Sequence, residues 1–388
     1  MIPISTSRLR EAAAREPLGL YLHVPFCRDR CTYCSFVTTR DESLKEAVLA
    51  RLERDLRDWG ARLGRPRVDT LYLGGGTPSL LTAPELARLT GAAREAFHLD
   101  PAEATLEANP GTLDLPWLEA ARDQGWDRVS FGVQALDDVL LERLGRIHDS
   151  AAALEALDAA RRAGFTRVSA DLMVGIPGQR LDRVLQDART LVEAGASHLS
   201  IYLLDLDKAC PLRGQVDSGK LALPTEDEVA DVFEALQAEL PRLGLEPYEV
   251  SNYARPGQES IHNSRYWERR PYLGLGPSAA SQLGDWRWTE SGVITAWAED
   301  RGRADIQELD AAEALAEIPL LGLRMHRGVH WGDLRARAAA LNLLPLADAW
   351  EAKLEPFVGA GILLRDGEVL RFSARGMLVS NGVLEIFV

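Results

Sequence analysis

Residues 18–36 read LGLYLHVPFCRDRCTYCSF, an apolar run that leads directly into a loop with three cysteines. Cys27, Cys31 and Cys34 follow the spacing C-x3-C-x2-C. Cubane iron–sulfur clusters are normally held by four thiolates, so three thiolates leave one iron without a protein ligand. The loop therefore predicts a [4Fe–4S] cluster with one open iron, bound by Cys27, Cys31 and Cys34.

An open iron can chelate the amino and carboxylate groups of S-adenosylmethionine. An electron passed to the sulfonium then yields a carbon radical, which is chemistry that a cofactor supplies and a protein positions. A structural zinc site would need four ligands, and a second pair of Cys or His at zinc spacing is missing from the sequence. Three unrelated buried thiols are the remaining alternative.

Composition limits the classes of partner. The chain has 388 residues and a net charge of −14, from 44 basic and 58 acidic side chains, which argues against binding to a nucleic-acid backbone. Residues 1–17 lack the apolar core of a secretory signal, and no run reaches the roughly 18 apolar residues of a membrane span. Only four Cys, three of them clustered, fit a reducing compartment. The sequence predicts a soluble, cytoplasmic protein, and a transient association with a membrane surface stays open.

Short β-rich runs alternate with longer helical patterns, which is typical of βα units around a parallel sheet. Strands are predicted at 19–24, 68–73, 104–108, 128–133, 166–174 and 198–203. Helices with apolar residues at three- and four-residue intervals are predicted at 43–63, 83–96, 115–124, 151–163, 181–194 and 226–243. Six units are fewer than a closed eight-fold barrel requires. The predicted fold is α/β, with an incomplete (β/α)6 barrel that is open on one side for a large substrate.

The βα rhythm ends after Tyr248. Residues up to about 297 are rich in Gly, Pro and aromatic side chains, and residues 299–308 are polar and charged. From about 311 the pattern predicts helices and then a hairpin at 361–372 with an Asp-Gly turn, as in a small winged-helix module. We therefore predict an N-terminal extension at 1–17, a barrel with a cofactor cleft at 18–298, and a linker with a winged-helix-like domain at 299–388.

Polar and glycine residues stand at the carboxyl ends of the predicted strands, where parallel α/β barrels place their ligand contacts. The stretch 74–78, Gly-Gly-Gly-Thr-Pro, ends the second strand, and backbone without side chains lets a ligand approach closely. A tight turn is its alternative reading. Glu107 ends the third strand and Gln134 the fourth. Asp171 lies among apolar neighbours in the fifth, where a buried carboxylate needs a polar ligand or a cation; a salt bridge within the barrel is the alternative.

These residues resemble the radical S-adenosylmethionine superfamily, and more closely the group that contains oxygen-independent coproporphyrinogen III dehydrogenase and the haem chaperone HemW. The resemblance runs from residue 18 to the C-terminus. It implies that the three cysteines bind the cluster, that Arg146 pairs with the methionyl carboxylate, and that Gln134 and Asp171 contact the ribose, pairings that suit these side chains chemically. Together the implied S-adenosylmethionine contacts are Tyr21, Gly75, Gly76, Thr77, Glu107, Gln134, Arg146 and Asp171.

Two positions favour the HemW side of this group. The dehydrogenase pattern has a further cysteine two residues after the third cluster ligand, where this chain has Phe36. The segment 262–267, His-Asn-Ser-Arg-Tyr-Trp, matches a His-Asn-x-x-Tyr-Trp segment associated with haem binding in HemW-like proteins. Imidazole can ligate haem iron and aromatic rings can flank the macrocycle, whereas structural packing is the alternative, since aromatic side chains mostly fill cores. The implied haem contacts are His262, Asn263, Tyr266 and Trp267.

The resemblance implies a haem chaperone that carries the cluster, S-adenosylmethionine and haem, uses an electron donor, and delivers haem to acceptor proteins. The alternative is the dehydrogenase, which decarboxylates propionate side chains oxidatively to give protoporphyrinogen IX. Enzymatic activity is thus left open, with the chaperone favoured. Of the remaining residues, Cys210 is interpreted as a free thiol. The histidines divide into candidates for the cofactor cleft, His23 and His148, and core or surface residues, His198, His326 and His330.

Overall fold

The computed structural model describes residues 4–302 and 304–388. Part of the predicted N-terminal extension is helix α1 (Thr6–Arg15), which buries Leu9 and Ala13 in the main hydrophobic core. Residues 1–3 of that extension lie outside the described residues, as does Arg303 in the predicted linker.

The six predicted strands are present, each paired in parallel with the next, and the prediction of an incomplete six-unit α/β barrel is confirmed. Because their carboxyl ends point the same way, the loops that follow them meet at one end of the barrel, which we call the carboxyl rim. The strands are β1 (Leu18–Val24), β2 (Arg67–Gly75), β3 (His98–Ala108), β4 (Arg128–Gln134), β5 (Arg167–Val174) and β6 (His198–Leu203).

Helices cover the outside of these strands with their apolar faces. Helix α3 shows how local sequence sets a boundary: Thr82 and Glu85 form a capping box at its start. Two short helices at the carboxyl rim, α5 and α8, were not predicted, because six or seven residues carry too little periodicity. The helices are α2 (Lys45–Leu63), α3 (Ala83–Ala96), α4 (Leu115–Asp123), α5 (Asp138–Arg143), α6 (Ser150–Arg162), α7 (Leu181–Glu193), α8 (Pro211–Asp217) and α9 (Glu226–Glu239).

The Gly-, Pro- and aromatic-rich segment extends the sheet at both edges. On one edge β8 and β7 pair antiparallel beyond β6; on the other, β9 runs parallel to β1 and is followed by the antiparallel strands β10, β11 and β12. Strand β12 lies in the predicted linker yet pairs with β11. The elements are β7 (Glu246–Pro247), β8 (Asn252–Ala254), α10 (Ile261–Trp267), β9 (Tyr272–Leu275), β10 (Ala280–Leu283), β11 (Trp286–Thr289), α11 (Ile294–Ala298) and β12 (Asp305–Glu308).

A buried ion pair closes the end of the barrel opposite the carboxyl rim. Arg128 on β4 and Glu103 on β3 have side chains 1% and 0% exposed, and they meet at 2.9 Å. Arg128 also donates to Ser169 and to two backbone carbonyls just before α10, while Glu103 accepts two N–H groups at the start of that helix. A buried charge needs such a complete set of partners. The pair therefore fixes α10 against the floor of the barrel.

The C-terminal residues form the predicted winged-helix-like fold with a hydrophobic core of its own. Its three strands pair in the order β13, β15, β14, and Gly367 occupies the turn of the predicted hairpin with φ 58°. No helix within the described ranges is long and apolar enough to span a bilayer. The elements are α12 (Ala311–Gly322), β13 (Val329–His330), α13 (Trp331–Ala340), α14 (Leu344–Gly359), β14 (Leu363–Asp366), β15 (Val369–Phe372), α15 (Ala374–Leu378) and α16 (Ser380–Leu384).

Candidate functional site

The cysteine loop is held in place by backbone hydrogen bonds to the rest of the carboxyl rim. The Cys27 N–H donates to the Thr39 carbonyl at 2.9 Å, and the Thr39 N–H donates to the Pro25 carbonyl at 2.8 Å, which closes the base of the loop. Farther along, the Thr32 N–H donates to the Leu144 carbonyl at 2.9 Å. The loop is thus anchored both to its own strand and to the connection that follows α5.

The three thiols are half-buried and line one cleft. The Thr77 hydroxyl donates to the Cys27 Sγ at 3.6 Å, and an Nη of Arg146 donates to the Cys31 Sγ at 3.4 Å. Burial raises the pKa of the Cys27 and Cys34 thiols, so a bound metal centre is needed to favour their thiolate forms.

The cleft runs from the cysteine loop into the barrel and has a volume of about 520 Å³. Most of the predicted site residues line it, whereas Tyr21, Thr77, His262, Tyr266 and Trp267 do not. Thr77 reaches the site through its contact with Cys27, and the Tyr21 hydroxyl lies 3.0 Å from Nδ1 of His23. The predicted residues on the cleft wall are Cys27, Cys31, Cys34, Gly75, Gly76, Glu107, Gln134, Arg146, Asp171 and Asn263.

Close packing beneath the cysteine loop requires glycine at the last residue of β2, Gly75, and at the residue after it, Gly76. A Cβ on Gly76 would lie 2.6 Å from the Phe26 carbonyl oxygen, and one on Gly75 would lie 2.5 Å from the ring of His23. Gly75 also has φ 110°, which L side chains rarely adopt. The bare backbone of this turn therefore faces the cleft directly beside the thiols.

Two acidic groups lie inside the barrel below the glycine turn. Glu107 accepts hydrogen bonds from the Tyr72 hydroxyl at 2.7 Å and from the Gly75 N–H at 2.9 Å, and burial raises its pKa. Asp171 accepts a hydrogen bond from the Ser130 hydroxyl at 3.3 Å. Burial, followed by the nearby Glu107 carboxylate, raises the pKa of Asp171 to about 7. The Ser200 hydroxyl and the Arg146 guanidinium act in the opposite direction and lower this pKa, but within residues 4–302 and 304–388 no cation forms an ion pair with Asp171.

Gln134 and Arg146 face the same cleft from the end of β4 and from the turn after α5. Gln134 has φ 73°, and its Oε1 accepts a hydrogen bond from the Tyr202 hydroxyl at 2.8 Å. Arg146 donates to the Asn109 side chain and to the Gly132 carbonyl, but its Nε is buried and has no hydrogen-bond partner among the residues that the structure describes. An unpartnered guanidinium N–H is a suitable donor to a carboxylate ligand.

The predicted haem segment lies on α10 and faces three directions. His262 is fully buried, with Nδ1 2.9 Å from the Thr70 hydroxyl and Nε2 2.9 Å from the Tyr266 hydroxyl. Burial, and to a lesser extent Arg265, lowers its pKa to about 3, so the imidazole is neutral. Asn263 lines the cleft. Trp267 faces the C-terminal module, where the Arg324 guanidinium lies 5.6 Å from its ring.

Other histidines and the fourth cysteine named from the sequence make the following contacts. His23 and His148 each use Nε2 on a backbone carbonyl, those of Val37 and Val133. His198 is buried as expected, yet it lines the deep end of the cleft. Cys210 caps the N-terminus of α8, where its sulfur accepts a hydrogen bond from the Arg213 N–H at 3.5 Å.

Sequence reasoning missed several residues of the cleft wall. Tyr33 lies between Cys31 and Cys34, but a tyrosine in this motif gave no reason to expect a ligand contact. Asn109 follows β3 directly, and a polar residue at a strand end is itself a signal that the sequence offered. Ser130 and Tyr202 gave no signal, because a hydroxyl on a barrel strand is informative only once the inward face is known.

A cysteine loop after the first strand of a partial α/β barrel, with glycines and acidic groups at the following strand ends, defines the radical SAM class of protein. The sequence model described as the Radical SAM superfamily matches residues 21–191. This match covers the second half of β1, the cysteine loop and strands β2 to β5.

Whole-chain comparisons narrow the class. The heme chaperone HemW of Mycobacterium tuberculosis is 35% identical, over 95% of this chain and 94% of that protein, and HemW of Bacillus subtilis is 30% identical over 95% and 98%. The chain belongs to the HemW family within the radical SAM superfamily. A solved structure, coproporphyrinogen III oxidase (HemN) from Escherichia coli, superposes with a TM-score of 0.85 over 99% of this chain and 93% of that one; at 23% identity it shows the fold alone.

Membership of this superfamily implies a [4Fe–4S] cluster and S-adenosylmethionine. The residues fit both groups: three half-buried thiols line one cleft, and Arg146 offers an unpartnered N–H. Within residues 4–302 and 304–388, no three His, Cys, Asp or Glu side chains are grouped so that they could hold a single metal ion. A cluster differs from a single ion, because each thiolate meets its own iron atom and three ligands need not converge on one point.

Proposed function

We propose that this protein is a haem chaperone that binds a [4Fe–4S] cluster, S-adenosylmethionine and haem, and delivers haem to acceptor proteins. One observation carries the proposal: Cys27, Cys31 and Cys34 line one cleft, and Cys210 lies outside it, in a chain that is similar over 95% of its length to proteins named heme chaperones. Phe36 at the mouth of that cleft, 66% exposed, replaces the further cysteine of the dehydrogenase pattern.

The proposed cofactor contacts follow from the groups that each side chain offers. When bound, the cluster and S-adenosylmethionine supply one-electron radical chemistry. Cys27, Cys31 and Cys34 hold the cluster, and the glycine turn with Thr77 presents backbone to the methionyl amino group. Arg146 donates its free Nε to the methionyl carboxylate. Glu107, Gln134 and Asp171 supply acceptors within the barrel, and Tyr21 supports the site from behind through His23.

Haem binding is proposed at the same cleft, with the segment 262–267 as its contact region. Asn263 reaches the cleft wall, and two exposed apolar side chains at the mouth, Phe36 and Leu203, suit a macrocycle. Ligation of haem iron by His262 would require its ring to leave the hydrogen bonds to Thr70 and Tyr266. At about 1 kcal/mol for each hydrogen bond, that rearrangement costs roughly 2 kcal/mol.

One anaerobic preparation tests the proposal. The protein is reconstituted with iron and sulfide, titrated with haem, and incubated with coproporphyrinogen III, S-adenosylmethionine and a reductant. We expect about four irons per chain, a haem Soret band and no tetrapyrrole turnover. Formation of protoporphyrinogen would assign the dehydrogenase activity instead. Cys31→Ala should lose the cluster, and retention of its full iron content would contradict the ligand assignment.

Delivery is tested separately, because binding alone does not make a chaperone. Haem-loaded protein is mixed with an apo-cytochrome, and transfer is followed by the spectrum of the acceptor. We expect transfer faster than from free haem under the same conditions. If the haem complex transfers no haem to the acceptor, the delivery function is refuted and only haem binding remains. The physiological acceptors and the electron donor are proposed as cytoplasmic or membrane-facing proteins, with no role for nucleic acid.

A further inference from the structure

A continuous chain of side-chain hydrogen bonds joins two of the cluster thiols through Asn109. The Asn109 Nδ2 donates to the Thr77 hydroxyl at 2.9 Å, and that hydroxyl donates to the Cys27 Sγ at 3.6 Å. On its other side the Asn109 Oδ1 accepts from an Nη of Arg146, whose second Nη donates to the Cys31 Sγ at 3.4 Å. We call these residues, Thr77, Asn109 and Arg146, the thiol belt.

We propose that Asn109 is a positioning residue that, through the thiol belt, keeps a hydrogen-bond donor on Cys27 and on Cys31 and thereby raises the reduction potential of the cluster. The inference rests on the proposed function, since it needs the cluster at these cysteines. Hydrogen bonds to cluster sulfurs withdraw negative charge and favour the reduced state.

The direction of each bond explains why an amide stands at this position. Because Asn109 donates to the Thr77 oxygen, the Thr77 hydroxyl hydrogen remains available for Cys27. Because Asn109 also accepts from Arg146, it orients a guanidinium that reaches Cys31. A carboxylate could only accept, and an apolar side chain could do neither.

The backbone around Asn109 is fixed well enough for this role. The Thr112 hydroxyl donates to the Asn109 carbonyl at 2.6 Å, and the Asn109 N–H donates to the Ser79 hydroxyl at 3.4 Å. Ser79 and Thr112 are themselves 2.6 Å apart through their hydroxyls. The third thiol, Cys34, is supported instead by the backbone N–H of Phe36, which no substitution within the thiol belt removes.

The test compares the reduction potentials of reconstituted clusters, measured by EPR-monitored redox titration without S-adenosylmethionine or haem. Asn109→Asp should draw the Thr77 hydrogen away from Cys27 and add a negative charge. At the wild-type midpoint, the ratio of reduced to oxidised cluster should fall about threefold to tenfold. Thr77→Val removes the hydrogen-bond donor to Cys27 without adding charge, and it should also lower the ratio of reduced to oxidised cluster. Thr77→Ser keeps the hydroxyl and should restore the wild-type value.

Each outcome decides the inference. Unchanged potentials in Asn109→Asp and Thr77→Val would overturn it, and so would a shift in Asn109→Asp alone, because added charge would then account for the effect. Iron content and the unfolding midpoint of each apo-protein identify variants that fail to fold; if Asn109→Asp does, the Thr77 pair carries the test. A wild-type chain that assembles no cluster would refute the proposed function as well. If the wild type assembles a cluster and the substitutions leave its reduction potential unchanged, the role of the thiol belt is refuted and the proposed function is not.

Discussion

Replacement of His262 by Ala should destabilise the protein whether or not haem is bound. The imidazole bridges Thr70 on β2 and Tyr266 on α10, and both it and Thr70 are fully buried. Its removal leaves two buried hydroxyls without partners, at about 1 kcal/mol or more each, and a cavity that adds about 1–2 kcal/mol. We therefore expect the free energy of unfolding to fall by roughly 3–4 kcal/mol.

Urea unfolding of the apo-protein, followed by tryptophan fluorescence, measures this loss. His98→Ala is the matched control, since His98 is exposed at the start of β3 and its loss should change stability by less than about 0.5 kcal/mol. A His262→Ala variant as stable as the control would refute the bridge. Haem titration of the folded variant then addresses ligation: a Soret band changed in His262→Ala but not in His98→Ala would show that haem draws the imidazole out of its bridge.

Three further predictions concern the glycine turn, the barrel interior and the junction with the C-terminal module. Gly76→Ala should lower iron per chain at least twofold, because its Cβ meets the Phe26 carbonyl at 2.6 Å, whereas Gly91→Ala, with open space around its Cβ, should keep full iron. Calorimetry should show that the affinity for S-adenosylmethionine rises about fivefold from pH 6 to pH 8 as Asp171 ionises. The Asp171→Asn variant should bind S-adenosylmethionine more weakly, and its affinity should not change over that pH range. Burial raises the pKa of Glu249 from 4.5 to about 7, so this carboxyl stabilises the folded state at low pH and its contribution is lost as the pH rises through 7. The free energy of unfolding of Glu249→Gln, relative to that of the wild type, should therefore increase by up to about 3 kcal/mol between pH 5 and pH 8. A difference between the two proteins that does not depend on pH would contradict this prediction.

The parts of the fold that were predictable from sequence are those with local causes. Six strands and their helices follow from apolar periodicity, and the hairpin at 361–372 follows from its Asp-Gly turn. The extension of the sheet by β7 to β12 was not predicted, because strands of two to four residues separated by Gly and Pro show no periodicity of their own. Their pairing depends on partners far away in sequence: β9 lies beside β1, about 250 residues earlier.

The same distinction separates the two halves of the candidate site. Cluster ligation needs three thiols within one loop, so the spacing of Cys27, Cys31 and Cys34 already contains most of the geometry. The segment 262–267 is different, because a helix of seven residues points its side chains in several directions. His262 faces the β2 strand, Asn263 the cleft, and Trp267 the C-terminal module. A motif of this kind gives the residue types but not the face that each one presents.

The polar floor of the barrel shows why the orientation of α10 could not be read from its own residues. Its position is fixed by Glu103 on β3, which accepts two of the N–H groups at the helix start, and Glu103 is in turn held by Arg128 on β4. Neither charge belongs to any motif, and each alone would be costly to bury. Together they set the rotation of α10, and with it the choice of Asn263 rather than His262 as the side chain that meets the cleft. Since that choice decides which group first contacts a tetrapyrrole, the ion pair at the closed end of the barrel shapes the binding surface near its open end.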